Sequence, residues 1–273
     1  MSEAPHILVI DDEQVIIDGI MKACSLENYS LDVAINVKAA LEKISKNYYP
    51  IILCDIMMPD GDGFQVLNEV QARNIDSAFI MMTGYSTFDN AVTSLQRGAL
   101  DFIPKPFTVD ELLSALHRAK IYQQIREKQR RSVGDNRPME LFYVECPPKY
   151  YRLGHSSWLY EETDGSVLVG VCDLFLETID SIAELDLLGA EDEIGQGISC
   201  LTIKSNNERI HKIYSPVSGR IIDVNNNLKS NPSLIEKDPY FEGWVYRVIP
   251  NDLGYEFKKL IPCSSDGTRL RSS

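Results

Sequence analysis

PIILCDIMMPDGDG, residues 50–63, is a short apolar run that ends on a carboxylate and breaks at once into Pro, Asp and Gly. An unbroken apolar run of this length reads as a strand buried on both faces, and such strands belong to parallel sheets covered by crossover helices. Outward from it the same unit repeats. HILVI (6–10) precedes an amphipathic stretch at 13–26, and LDVAI (31–35) precedes one at 37–45. The quoted run leads into 63–72, AFIMMT (78–83) into 87–97, and LDFIPK (100–105) into 109–122. Five strand–helix units predict an α/β domain with a doubly wound, five-stranded parallel sheet. Thr108 and Glu111 have the spacing of a capping box and mark the start of the last helix.

Such sheets bind ligands outside the carboxyl ends of their strands. The residues there are Asp11 and Asp12, Asp55, Thr83 and Lys105. Carboxylates gathered at one edge raise one another's pKa unless a cation joins them, and hard oxygen donors suit Mg²⁺. Mg²⁺ takes one or two carboxylates together with waters and phosphate oxygens. That leaves Asp55 as a nucleophile toward phosphorus, with Lys105 and the Thr83 hydroxyl on the remaining phosphoryl oxygens. Acidic residues at strand ends also serve as helix caps, and a DD pair alone has that ordinary reading. The ordered set of DD, D with MMPDGDG, T and K-P-F, each at a strand end, goes well beyond it.

On those motifs, residues 5 to about 122 resemble the receiver domain of two-component response regulators. The resemblance implies that Asp55 is the phospho-acceptor and that a sensor histidine kinase is the partner. It also implies that Asp12 ligates Mg²⁺ directly, Asp11 through water, and the Met57 carbonyl as the third protein ligand. Thr83 and Phe102 match the switch pair of the family, Lys105 its phosphate-contacting lysine, and the bond before Pro106 is expected to be cis. Gly84 stands where many relatives have alanine, which is expected to widen the space beside the phosphoryl group.

The 273 residues leave room for about two domains at roughly 150 residues each. A net charge of −13 argues against a nucleic-acid partner, which needs a basic surface. The one basic run, 126–131, reads as a solvated helix end. Six cysteines without a CxxC pair read as reduced, buried thiols, and no stretch approaches the roughly 18 apolar residues of a membrane span. A cytoplasmic protein without membrane contact is expected. Residues 1–125 are assigned to the receiver and 126–139 to a helical extension and linker, broken by Gly134, Asn136 and Pro138. The extension does not sustain three heptads, which excludes a long coiled coil and leaves a short homodimer contact open.

Residues 140–257 hold β-prone runs with turns at DG, SG and NNN, and no pair of apolar helices joined by a tight turn. A helix-turn-helix output is therefore not expected. GHSSWLYEETDGSVLVGV, SPVSGRIIDVNNNL and NPSLIEKDPYFEGWVYRVIPND make about residues 150–255 similar to the H protein of the glycine cleavage system, a mainly-β, lipoyl-domain-like flattened barrel. The tail, 258–273, is expected to fray. That family carries lipoate on a hairpin-tip lysine seven residues before the first serine of the SPVSG turn. Here that serine is Ser215, the position is Glu208, and Ser205 replaces the usual glutamate three residues earlier. A carboxylate cannot form the amide that an amine forms with lipoate, so no lipoate is expected. Lys204 and Lys212 lie four residues to either side, and bringing either to the tip would re-register the hairpin. The second domain is then expected to bind an unknown protein partner. Two rival readings stand beside this one: a lipoyl carrier on a displaced lysine, and a phosphate sink. His155, His211, Trp158 and Trp244 read as structural residues.

Overall fold

The computed structural model describes residues 6–84, 88–134 and 142–265. Residues 135–139 of the expected linker and 266–273 of the expected tail lie outside the described residues. The chain forms two compact units.

The first unit alternates β1 (His6–Ile10), α1 (Gln14–Leu26), β2 (Ser30–Ala34), α2 (Val37–Lys46), β3 (Ile51–Asp55), α3 (Gly63–Ala72), β4 (Ala78–Thr83), α4 (Phe88–Gln96), β5 (Asp101–Pro104) and α5 (Val109–Gly134). The five strands form one parallel sheet in the order β2-β1-β3-β4-β5. Val9, Leu53, Ile80 and Ile103 of successive strands share one buried cluster with Leu112, Ala115 and Leu116 of α5. The capping box forms as the spacing requires: Thr108 N donates to Glu111 Oε2 at 2.8 Å, and Glu111 N to Thr108 Oγ1 at 3.2 Å. The basic run on α5 is tied down, with Arg126 and Arg130 at 3.5 and 3.3 Å from Asp76 and Arg131 paired to Glu127.

The second unit is mainly antiparallel. Its strands are β6 (Tyr151–Leu153), β7 (Ser157–Glu161), β8 (Val167–Val171), β9 (Ile182–Leu187), β10 (Glu193–Ile194), β11 (Ser199–Ser205), β12 (Ile210–Tyr214), β13 (Gly219–Val224), β14 (Tyr246–Pro250) and β15 (Ile261–Pro262). They build a seven-stranded sheet, β10-β13-β14-β8-β7-β6-β15, and a three-stranded one, β9-β11-β12. The chain from 258 to 263 corrects the expectation of a frayed tail. β15 pairs with β6, Cys263 N donates to Tyr150 O at 3.0 Å, and Cys263 is buried. The polarity that suggested fraying belongs to the residues after it.

DPYFEGW, residues 238–244, works as a plug for this unit. The Pro239 carbonyl accepts from the indole N–H of Trp158 at 3.0 Å, and the Tyr240 carbonyl accepts from the Tyr150 hydroxyl at 2.8 Å. The Tyr240 hydroxyl donates to Val144 O at 3.1 Å and accepts from Asp173 N at 3.1 Å. A side chain at Gly243 would meet the Asp238 carbonyl at 2.6 Å, so only glycine lets the segment fold back. Trp158 is fully buried between these tyrosines and Gly170, where a Cβ would stand 2.3 Å from the indole ring. Trp158→Ala is expected to destabilise the second unit by about 3–5 kcal/mol in urea unfolding, because the ring leaves a cavity its tethered neighbours cannot fill. A loss under about 1 kcal/mol would mean that the site collapses freely.

Candidate phospho-acceptor site and hairpin tip

Asp11, Asp55, Thr83 and Lys105 reach one edge of the first sheet because β1, β3, β4 and β5 run parallel and in register. Cys54 lies opposite Ile10, Met82 opposite Asp55, and Pro104 opposite Thr83. Main-chain bonds lock the loops above: Ile56 N donates to Met82 O at 2.9 Å, and Lys105 N to Thr83 O at 2.7 Å. The loop after Asp55 turns sharply. Met57–Met58 pairs with Gly61–Asp62, and Gly63 N donates to Ile56 O at 2.8 Å. A Cβ at Gly63 would lie 2.2 Å from the Asp55 carbonyl oxygen, which gives the second glycine of DGDG a steric reason. Asp62 closes the turn by capping α3, accepting from Gln65 N at 3.0 Å.

One carboxylate oxygen from each of Asp11, Asp12 and Asp55 lies within 4.8 Å of the others. Asp11 and Asp55 are buried, at 0 and 4 % exposure, and Asp12 is exposed. Lys105 reaches into them, with Nζ 2.7 Å from Asp11 Oδ2 and 2.9 Å from Asp55 Oδ2. Like charges at such separation repel by roughly 3 kcal/mol at an effective dielectric of about 20. One ammonium against these carboxylates leaves the cluster net negative, which favours a divalent cation. Asp55 Oδ1 is buried and finds no hydrogen-bond partner among the described residues. This oxygen-only, anionic donor set fits Mg²⁺.

Burial raises the Asp55 pKa, and the Lys105 bond and charge pull against that rise. For Lys105 the balance reverses. Burial pulls its pKa down, but the bonds to Asp11 and Asp55 outweigh it and leave the group raised and charged. The neighbouring Cys54 thiol is pushed well up by burial and by Asp55, so it stays protonated beside the carboxylate.

The remaining sequence candidates fall around this centre. Thr83 is fully buried at the end of β4, and Phe102 is 4 % exposed on β5, opposite Met81. The side chain of Met57 is 57 % exposed. The Lys105–Pro106 bond is cis, as the sequence led one to expect. A Cβ at Gly84 meets nothing within 4 Å among the described residues. Sequence reading missed Glu13, whose Oε1 lies 3.3 Å from Lys105 Nζ. The acidic triplet Asp11-Asp12-Glu13 is the available signal, but Glu13 reads as the first residue of the amphipathic stretch that follows.

In the second unit, β11 and β12 form the hairpin that carries Glu208. Ser205 N donates to Arg209 O at 3.0 Å and Glu208 N to Ser205 O at 2.9 Å, closing a tight loop. Glu208 is exposed at its tip with φ +64°, a left-handed conformation usually left to Gly or Asn. The tip is braced from the side: Asn206 N donates to Ser181 O at 2.9 Å, and the Asn207 amide reaches Asp180. Ser205, where the glutamate was missed, donates to Asn207 Oδ1 at 2.6 Å. Lys204 and Lys212 sit inside the ladder, opposite Ile210 and Thr202. His211 is fully buried, within 3.4 Å of Ser205 Oγ, and all six cysteines are buried thiols.

A five-stranded parallel sheet with an Asp–Asp–Lys pocket at its carboxyl edge defines a receiver domain. The receiver family model matches residues 7–117, and that of the glycine cleavage H-protein matches residues 149–264. The "Probable glycine cleavage system H protein" of Thermococcus kodakarensis (strain ATCC BAA-918 / JCM 12380 / KOD1) is 33 % identical over 123 residues, 45 % of this chain and 90 % of that protein. The C4-dicarboxylate transport transcriptional regulatory protein DctD of Rhizobium meliloti (strain 1021) is 32 % identical over 139 residues, 51 % of this chain and 29 % of that protein. A CheY-like receiver domain protein from Methanospirillum hungatei JF-1, of known crystal structure, is 30 % identical with a TM-score of 0.42, over 44 % of this chain and 97 % of that one. The chain belongs to the response-regulator receiver family in its first unit and to the glycine cleavage H-protein family in its second. It spans only 28 to 37 % of the first three curated receiver relatives, which are named as regulatory proteins. Among the described residues no helix is long and apolar enough to cross a membrane.

Proposed function

We propose that this chain is a response regulator phosphorylated on Asp55, whose H-protein-like unit is a protein-interaction output without lipoate. The observation that carries the first part is the buried Asp55 Oδ1, without a hydrogen-bond partner among the described residues, beside a lysine ammonium. In the reaction, that carboxylate attacks the phosphorus of a phosphohistidine in a sensor kinase. The phosphorus–nitrogen bond breaks, its electron pair leaves with the imidazole, and an aspartyl phosphate remains. Asp11, Asp12, Asp55 and the Met57 carbonyl would hold Mg²⁺, which neutralises charge on the transferring group. Lys105 and the Thr83 hydroxyl hold the phosphoryl oxygens. Hydrolysis of the same bond by water resets the domain.

Thr83 and Phe102 on adjacent strands then couple the phosphoryl group to the β4–β5 side of the sheet, as a shift between two populated conformations. Transcriptional control belongs to the named relatives and is not carried over, because the second half of this chain matches an H protein instead. Glu208 and the ladder positions of Lys204 and Lys212 support a non-carrier tip: a lysine could replace Glu208 only through a slip of the whole hairpin. The test of the pocket is metal dependence. Chelation of divalent cations is expected to abolish phosphoryl uptake from acetyl phosphate, and added Mg²⁺ to restore it. Uptake that persists in chelator would remove Mg²⁺ from the account.

A further inference from the structure

We propose that Glu13 is a positioning residue for Lys105: it engages the lysine from the solvent side before phosphorylation and slows entry of the phosphoryl group. This rests on the reading of Asp55 as acceptor. Glu13 occupies the N-cap position of α1, where a side chain ordinarily turns onto the first amides of its helix. The Glu13 side chain makes no such bond. Its amide donates instead to Asp11 Oδ1 at 3.0 Å, which fixes the backbone against the pocket, and its carboxylate accepts from Lys105 Nζ at 3.3 Å.

An ammonium has three N–H donors and no acceptor. Lys105 Nζ stands among three carboxylates: Asp11 at 2.7 Å as an ion pair, Asp55 at 2.9 Å and Glu13 at 3.3 Å as hydrogen-bond acceptors. The first two are buried in the pocket floor, whereas the Glu13 side chain is 60 % exposed. A phosphoryl oxygen that approaches Lys105 competes with them for the ammonium. The longest and most exposed contact yields first, and until it yields it competes with the incoming anion. An exposed pair of this kind is weak, so the effect is a few-fold change in rate and not a block.

The test is a double-mutant cycle in the full chain, comparing wild type, Glu13→Gln, Lys105→Met and the double variant. Initial rates of phosphoryl uptake from acetyl phosphate are measured at saturating Mg²⁺, and melting temperatures without metal. Glu13→Gln is expected to speed uptake about two- to fivefold in the wild-type background and to change nothing once Lys105 is Met. An unchanged rate in Glu13→Gln, or the same acceleration in both backgrounds, would overturn the proposal, because the second outcome is charge repulsion that does not pass through Lys105. If wild type takes up no phosphoryl group, the acceptor reading fails by itself, and the melting cycle decides the contact. A non-zero Glu13–Lys105 coupling supports it and strict additivity overturns it.

Discussion

Asp55→Asn is expected to lower the initial rate of phosphoryl uptake from acetyl phosphate with Mg²⁺ by at least about a thousandfold, a barrier increase of roughly 4 kcal/mol. The substitution is nearly isosteric, so the packing of β3 against β1 and β4 survives, and Lys105 keeps its contact with Asp11 at 2.7 Å. What disappears is the nucleophile. An amide oxygen attacks phosphorus poorly, and its neutral group no longer helps gather a cation beside Asp11 and Asp12. A residual rate within about tenfold of wild type would show that the acceptor is another residue.

Glu208→Lys is expected to gain a lipoyl group when made in a lipoylating host, and wild type to gain none. The rest of the hairpin is in place. The ladder from Ser199–Tyr214 to Lys204–Ile210 is formed, the tip is exposed, and its base is braced on Asp180 and Ser181. The carboxylate that Glu208 presents there cannot form the amide that an amine forms. Glu208→Gln serves as the control, because it removes the charge without supplying an amine. A lipoyl increment on wild type would instead place the modification on another lysine. If Glu208→Lys stays unmodified while folded, the tip has diverged beyond its single side chain, with Ser205 in the place of a glutamate as the first suspect.

The sheet of the first unit was legible because five apolar runs alternate with helical patterns, and parallel strands then deliver their carboxyl ends to one edge. Asp11, Asp12, Asp55, Thr83 and Lys105 could be named from that rule alone. Glu13 could not, because whether a cap residue turns onto its helix or onto a lysine ninety residues away is decided by tertiary contact. The glycine at 63 was visible as a turn signal, but the reason for it, an Asp55 carbonyl 2.2 Å from where a Cβ would stand, is geometric. In the second unit, short strands with weak periodicity gave few boundaries, so the two-residue strand Ile261–Pro262 was taken for tail. Two residues carry no alternation to read. The DPYFEGW motif was noticed as a pattern, and only the bonds from Trp158 and Tyr150 to its carbonyls explain its composition.

A phosphorylated receiver joined to a non-carrier output is tested in both halves by one measurement: the intact mass of the full chain from a lipoylation-competent host, before and after acetyl phosphate with Mg²⁺. The account predicts an unmodified starting mass and then a single phosphoryl increment. A lipoyl increment at the outset would contradict the reading of the hairpin, and the absence of any phosphoryl increment would contradict the reading of the pocket.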